Sequence, residues 1–102
     1  MSTTLSRQLK ALSHLLATDP DVSQLNQGHL LALAFVCAAE EPVSLQQIAT
    51  EVCITPSAAS RMIVKLEEKG LVDRPAHRRP GLLTPTAKGR EVNDRVQFFL
   101  AS

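Results

Sequence analysis

Residues 44–74 read SLQQIATEVCITPSAASRMIVKLEEKGLVDR, two short amphipathic helices joined by a tight turn, the second ending in a glycine that feeds a strand. Ser44 starts the first helix, because its hydroxyl can accept an orphan backbone N–H and Gln47, three residues on, can reach back to complete a capping box. Pro42 discourages a helix running in from upstream. Leu45, Ile48, Ala49 and Val52 recur at the i, i+3, i+4, i+7 spacing of one buried stripe, which leaves Gln46, Gln47, Thr50 and Glu51 facing outward. Cys53 and Ile54 form the turn. Thr55 caps the second helix and Pro56 takes its first position, where a missing N–H is no loss. Ala59, Met62, Ile63 and Leu66 then make the apolar stripe, Ser57, Ser60, Arg61, Lys65 and Glu68 fall on the other side, and Gly70 supplies a left-handed stop.

The exposed side of the second helix offers small hydroxyls near its N-terminus and cations further along. A helix that enters a DNA groove needs that arrangement, since its first residues reach base edges while the positive end of its dipole faces phosphates. The same residues also describe an ordinary solvated face, and the helix alone does not separate the two. The residues beyond Gly70 favour the groove. Residues 71–74, LVDR, form a short strand, 75–81, PAHRRPG, a polar loop bounded by prolines, and 82–84, LLT, a second strand. Such a loop is commonly just a solvated turn, but a hairpin carrying Arg74, His77, Arg78 and Arg79 suits a wing that tracks the sugar-phosphate backbone or the minor groove. The fold class predicted is therefore mainly α with a small β-hairpin wing, a winged helix-turn-helix, with 44–70 as the helix-turn-helix and 71–85 as the wing.

Charge shows the same division. The chain as a whole holds 11 Lys+Arg against 10 Asp+Glu, so net charge alone gives no sign of nucleic acid. Residues 55–90 carry eight cations against three acids, whereas residues 1–54 carry two against five. Positive charge is concentrated where phosphate binding would require it.

The segment from Ile54 through Pro56, Ser57, Ser60, Arg61, Lys65, Leu66, Glu67, Lys69 and Gly70 to Leu71 and Val72 resembles the recognition-helix segment of the MarR (multiple antibiotic resistance regulator) family of winged-helix transcription factors. Its closing Leu-Glu-x-Lys-Gly-Leu-Val is the most specific part. Leu45, Ile48 and Ala49 match the family's preceding helix, and Arg79, with Thr86 and Gly89 after it, resembles its wing exit. The likeness covers about residues 25–95. It implies base-edge contacts by Pro56, Ser57, Ser60 and Arg61, with Thr55 beside them on the DNA-binding helix, Lys65 nearer the phosphates and Arg79 as the wing arginine. It further implies a homodimer reading a pseudo-palindrome. Cys53 stands where the family often has glycine, the pair His77 and Arg78 replaces the acidic residue that usually precedes the wing arginine, and the wing is a few residues short. Relatives also tend to continue beyond Ser102 through a longer C-terminal helix.

Residues 1–102 read as one domain of ordinary size, and 44% hydrophobic content fits a globular chain with one core. No apolar run approaches the ~20 residues of a membrane span and the N-terminus lacks a secretion signal, so a cytoplasmic protein without membrane contact is expected. Leu5, Leu9, Leu12, Leu15 and Leu16 line a first helix that should stop near Asp19 and Pro20. Asn26 caps a second, running from Gln27 toward Glu40 and apolar on most sides, as a central core helix is. The last helix starts at Thr86 and reaches Phe98, Phe99 and Leu100. Two readings fit this end of the chain: helices 1–20 and 86–102 pair across a twofold axis through Leu5, Leu9, Leu12, Phe98, Phe99 and Leu100, or the phenylalanines fold back on their own domain.

Catalysis finds little support. His14, His29 and His77 lie in different segments and no nucleophile or carboxylate set accompanies them. Cys37 and Cys53 lack the clustering of a zinc site, so no metal or cofactor is expected. Cys37 reads as a small buried hydrophobe, while Cys53, in the turn ahead of a helix N-terminus, is the position where a stabilised thiolate and a redox response would arise. Many members of the family bind small phenolic ligands between the dimer helices and the DNA-binding lobe, but a chain without Trp or Tyr has little wall for such a pocket, and none is predicted. The expected function is sequence-specific binding of double-stranded DNA, as a repressor and a homodimer. The rival is a winged helix that binds protein, as an adaptor or antirepressor, through the same surface.

Overall fold

A computed structural model describes residues 2–74 and 82–101, with side chains from residue 5 onward. Among these the order is α1 (Ser2–Thr18), α2 (Gln27–Ala38), β1 (Val43–Ser44), α3 (Leu45–Val52), α4 (Pro56–Glu68), β2 (Val72–Asp73), β3 (Leu82–Pro85) and α5 (Ala87–Ala101). It is the mainly helical winged helix-turn-helix that the residue pattern predicts, with a small antiparallel sheet. No helix among the described residues is long and apolar enough to cross a membrane.

Helix α1 stops ahead of Asp19 and Pro20, and the turn after it is held by the Asp19 carbonyl, which accepts from the N–H groups of Val22 and Ser23 at 3.1 and 2.8 Å. Asn26 then caps α2: its side-chain oxygen accepts from the His29 N–H at 3.0 Å. The imidazole of His29 closes the box on the Asn26 N–H at 3.1 Å, a partner the sequence does not advertise because the return position is usually read as Glu or Gln. The helix ends at Ala38, two residues short of Glu40, with Ala39 already extended. Leu30, Ala32, Leu33 and Val36 are buried, which makes α2 the centre of the core.

Around it the apolar stripes of the other elements converge. Ile48 of α3, Ile63 and Leu66 of α4, Leu83 of β3 and Val92 of α5 are all fully buried in one cluster with Leu33. Each such side chain stabilises the fold by about 1.5–3 kcal/mol relative to leaving it in water.

The sheet runs β1-β3-β2, antiparallel throughout. Val43 faces Leu83 and Ser44 faces Leu82, while Val72 faces Pro85 and Asp73 faces Thr84. The pair β2 and β3 is the wing hairpin. Its loop, 75–81, lies outside the described residues, and with it the wing positions His77, Arg78 and Arg79. Strand β1 is not legible in the sequence, because a two-residue strand shows no period and its partner is distant along the chain. Strand β2 is also shorter than residues 71–74, since Leu71 is buried and turns its carbonyl toward α5.

Helix α5 begins at a tight joint. The Thr86 hydroxyl accepts from the Gly89 N–H at 2.9 Å and donates to the Gly70 carbonyl at 2.6 Å, while the Thr86 N–H donates to the Leu71 carbonyl at 3.1 Å. Gly89 lies so close to Leu71 that a Cβ placed there would overlap the Leu71 carbonyl oxygen. Further along the helix, Arg95 reaches back to the turn after α1, its Nη2 2.6 Å from Asp21 Oδ2 and its Nη1 3.3 Å from Asp19 Oδ2. The Arg95 guanidinium holds the Asp21 carboxyl below its ordinary pKa.

Candidate nucleic-acid interface

The helix-turn-helix is fixed by three local devices. At the start of α3, Ser44 Oγ accepts from the Gln47 N–H at 3.1 Å and Gln47 Oε1 accepts from the Ser44 N–H at 2.9 Å, the capping box read from the sequence. At its end Cys53 adopts the left-handed conformation, φ 62, and the Ile54 N–H donates to the Ala49 carbonyl at 2.9 Å. Only glycine enters that region without strain, which gives a physical reason for the family's preference at this position. Thr55 then caps α4, its Oγ1 accepting from the Ala58 N–H at 3.2 Å.

With Ala59, Ile63 and Leu66 buried and Met62 half-buried, α4 keeps its opposite side in water. Thr55, Pro56, Ser57 and Arg61 are exposed and Ser60 is half-buried. Lys65 is half-buried as well and stands near the start of α2. Desolvation first, and the Lys65 charge second, lower the pKa of His29. The fold adds Val64, 46% exposed, to this outer side. Its signal is present in the sequence: 57, 60, 61 and 64 repeat the i, i+3, i+4, i+7 spacing of the buried side. The outward stripe of α4 is thus Ser57, Ser60, Arg61 and Val64.

The cations that the sequence groups around the motif do not all stand free. Arg74 Nε lies 2.9 Å from Glu67 Oε1, so its guanidinium is drawn against α4 at the base of the wing. Lys88 Nζ lies 3.4 Å from Asp21 Oδ1, on the turn after α1. The charge excess counted along residues 55–90 therefore overstates what faces outward, and Arg61 is the cation on the outward stripe of α4. Cys53 is exposed and Cys37 half-buried, both as free thiols. Burial pushes the Cys37 thiol pKa up.

At the opposite end of the molecule α1 packs along α5 within the same chain. Leu12 and Leu100 are half-buried against the core, and the Phe99 ring is tilted against His14 with centroids 6.4 Å apart. Leu5 is 59% and Phe98 73% exposed, and Leu9 and Leu31 are also open to water. Between α1, α2 and α5 runs an apolar groove of about 140 Å³, lined by Leu12, Leu30, Leu31, Ala34, Val96 and Leu100 together with two glutamines.

The MarR family model matches residues 25–79, more than half of the chain and the whole of the helix-turn-helix. The chain belongs to the MarR family. Solved structures agree: Rv1404 from Mycobacterium tuberculosis is similar at 30% identity and TM-score 0.77, over 97% of this chain and 68% of that one. A MarR-family transcriptional regulator from Rhodococcus sp. RHA1 is similar at 26% identity and TM-score 0.73, over 98% of this chain and 66% of its own. CouR from Rhodococcus jostii RHA1, solved bound to p-coumaroyl-CoA, gives the same identity, coverage and TM-score. The chain thus spans about two thirds of the length of these solved structures. A comparison with curated proteins returns no match.

Proposed function

We propose that this MarR-family chain is a sequence-specific, double-stranded-DNA-binding transcriptional regulator that works in the cytoplasm as a homodimer on a pseudo-palindromic operator and represses by occluding a promoter. The observation that carries this reading is the outward side of α4: a well-capped helix, anchored by three buried side chains, that presents Ser57, Ser60 and Arg61 in one stripe. With α4 in the major groove, Arg61 donates to a guanine, a contact worth about 1–3 kcal/mol of discrimination. Thr55, Pro56 and Ser57 at the helix start approach base edges, and Lys65 turns toward the phosphates. His77, Arg78 and Arg79 act on the backbone through counterion release. Arg74, tied to Glu67, sets the base of the wing and adds a partly shared charge.

The homodimer rests on the exposed Leu5, Leu9 and Phe98, whose contact with water costs about 25 cal/mol for each Å² of apolar surface. Pairing α1 and α5 of two copies removes that surface, and Leu12, Phe99 and Leu100 flank the contact. No small-molecule ligand is assigned; the groove between α1, α2 and α5, at about 140 Å³, is smaller than the roughly 300–1,000 Å³ of pockets that enclose a drug-sized molecule. No enzymatic activity is assigned either.

Selection of binding sites from random duplexes tests the reading. An enriched palindrome is the expected result, with Arg61→Ala relaxing the sequence preference and Arg79→Ala reducing the slope of log affinity against log salt by about 1. A selection that enriches nothing would overturn the DNA reading in favour of a protein-binding module.

A further inference from the structure

We infer that Val64 is a specificity-determining residue of this surface, reading the C5-methyl group of a thymine in the major groove; this rests on the DNA-binding reading above. Among the described residues six large apolar side chains are exposed: Leu5, Leu9, Leu31, Val64, Phe98 and Phe99. Five of them belong to α1, α2 and α5, which adjoin one another. Val64 stands apart on the helix-turn-helix. A single exposed apolar residue is ordinary on any protein surface, and it is the position of this one that gives it meaning. It lies seven residues after Ser57 and three after Arg61, in line with both.

Local physics does not favour valine there. A β-branched side chain loses rotamer freedom in a helix, and at an exposed position a straight-chain residue such as Lys, Gln or Glu forms helix better. The residue fits the chemistry of the groove instead. Valine is short, stiff and unable to hydrogen-bond, so it cannot read the N7, O6, N6 or N4 groups of the other bases. The thymine methyl is the apolar group that unmodified B-DNA presents in the major groove. Set against adenine N6 or cytosine N4, the same side chain would strip water from a donor and leave it unsatisfied, which discriminates against those bases.

Reach is consistent as well. Three residues of α-helix advance about 4.5 Å along the axis, on the order of the 3.4 Å step between bases of one strand. Arg61 and Val64 therefore address neighbouring base pairs, a guanine and, within one or two steps of it, a thymine in each half-site.

The test uses the full chain and a duplex carrying its own selected site, with each thymine replaced singly by deoxyuridine, which deletes the methyl and nothing else. Wild type should lose roughly fourfold in affinity at one thymine per half-site, the worth of about one buried methyl group. Val64→Ala should bind the thymine and uracil duplexes within about twofold of each other at that position, the methyl contact being lost. Val64→Asn, selected afresh, should exchange thymine for adenine there, because Asn pairs with adenine N6 and N7. Unchanged circular dichroism establishes that the variants are folded. The inference is overturned if wild type tolerates uracil at every thymine of an enriched site, or if Val64→Ala remains as sensitive as wild type. Failure of wild type to enrich any site would bring down the DNA reading, and this inference with it.

Discussion

The two ends of α5 differ in what they leave to water. At its start, Thr86 and Gly89 close on Gly70 and Leu71, with the Thr86 hydroxyl and N–H both engaged and no room at Gly89 for a methyl group. At its far end Phe98 is 73% exposed, and across from it Leu5 and Leu9 on α1 are open as well. One helix thus joins a region whose interactions are internal to one whose apolar surface still lacks full cover. The contrast teaches where this domain is self-sufficient: the helix-turn-helix half is held by its own caps and packing, whereas the opposite end carries the surface that association would cover.

Gly89→Ala is the severest test of the closed end. Its methyl group would meet backbone, which cannot swing aside as a side chain can, so a loss of about 3 kcal/mol or more is expected, seen as an early urea unfolding midpoint. A wild-type midpoint would show that the joint is looser than it looks. At the open end, Leu9→Ser combined with Phe98→Ser should leave the helical circular dichroism intact and weaken self-association at least about tenfold in sedimentation equilibrium, as loss of central apolar anchors does. If wild type is already monomeric at micromolar concentration, association at this end is not what covers the apolar side chains.

Within the closed half one residue is strained. Cys53→Gly should raise stability by about 1 kcal/mol, because a left-handed conformation disfavours any residue with a Cβ by that order, and Cys53→Val should lower it; no change in either would mean the turn relaxes around its occupant. The smallest effect concerns His29. Burial, reinforced by the Lys65 charge, lowers its pKa below 6.5, so the unfolded chain takes up the proton first as pH falls. The stability linked to neutral His29 is therefore present above pH 6.5 and lost as pH drops through 6.5 toward the folded-state value. His29→Gln preserves a capping-box partner and should flatten the change in unfolding midpoint between about pH 7.5 and 5.5, either side of the ordinary histidine pKa, whereas equal slopes in both proteins would place the pH dependence elsewhere.

Much of the closed half can be read from residues alone. Ser44 with Gln47, Thr55 with Pro56, Asn26 and Gly70 all act where their chemistry puts them, because a cap is a short-range bond between a side chain and backbone three residues away. What escapes is non-local or two-sided. Strand β1 exists only because β3 comes to pair with it, and the ion pairs of Arg74 and Lys88 redirect charges that a count along the chain assigns to the outer surface. Val64 is different: its spacing from Ser57, Ser60 and Arg61 already sets it opposite the apolar stripe of α4, but an apolar residue is easily passed over on an outer face until the fold shows it 46% exposed. The open end is undecided in the sequence, and the fold divides it, with Leu12 and Leu100 drawn toward the core and Phe98 left outside.

The Thr86 joint also makes the molecule a lever. Its hydroxyl bridges Gly70, at the end of α4, to the first turn of α5, and Gly89 lies directly against the Leu71 backbone. A tilt of α5 would therefore press on the backbone at Leu71, just beyond the end of α4. If two copies pair near Phe98 as proposed, the angle at which their α5 helices meet would set the spacing of the two α4 helices. On the proposed DNA-binding reading, the distance between half-sites would then be set at the end of the protein farthest from the DNA.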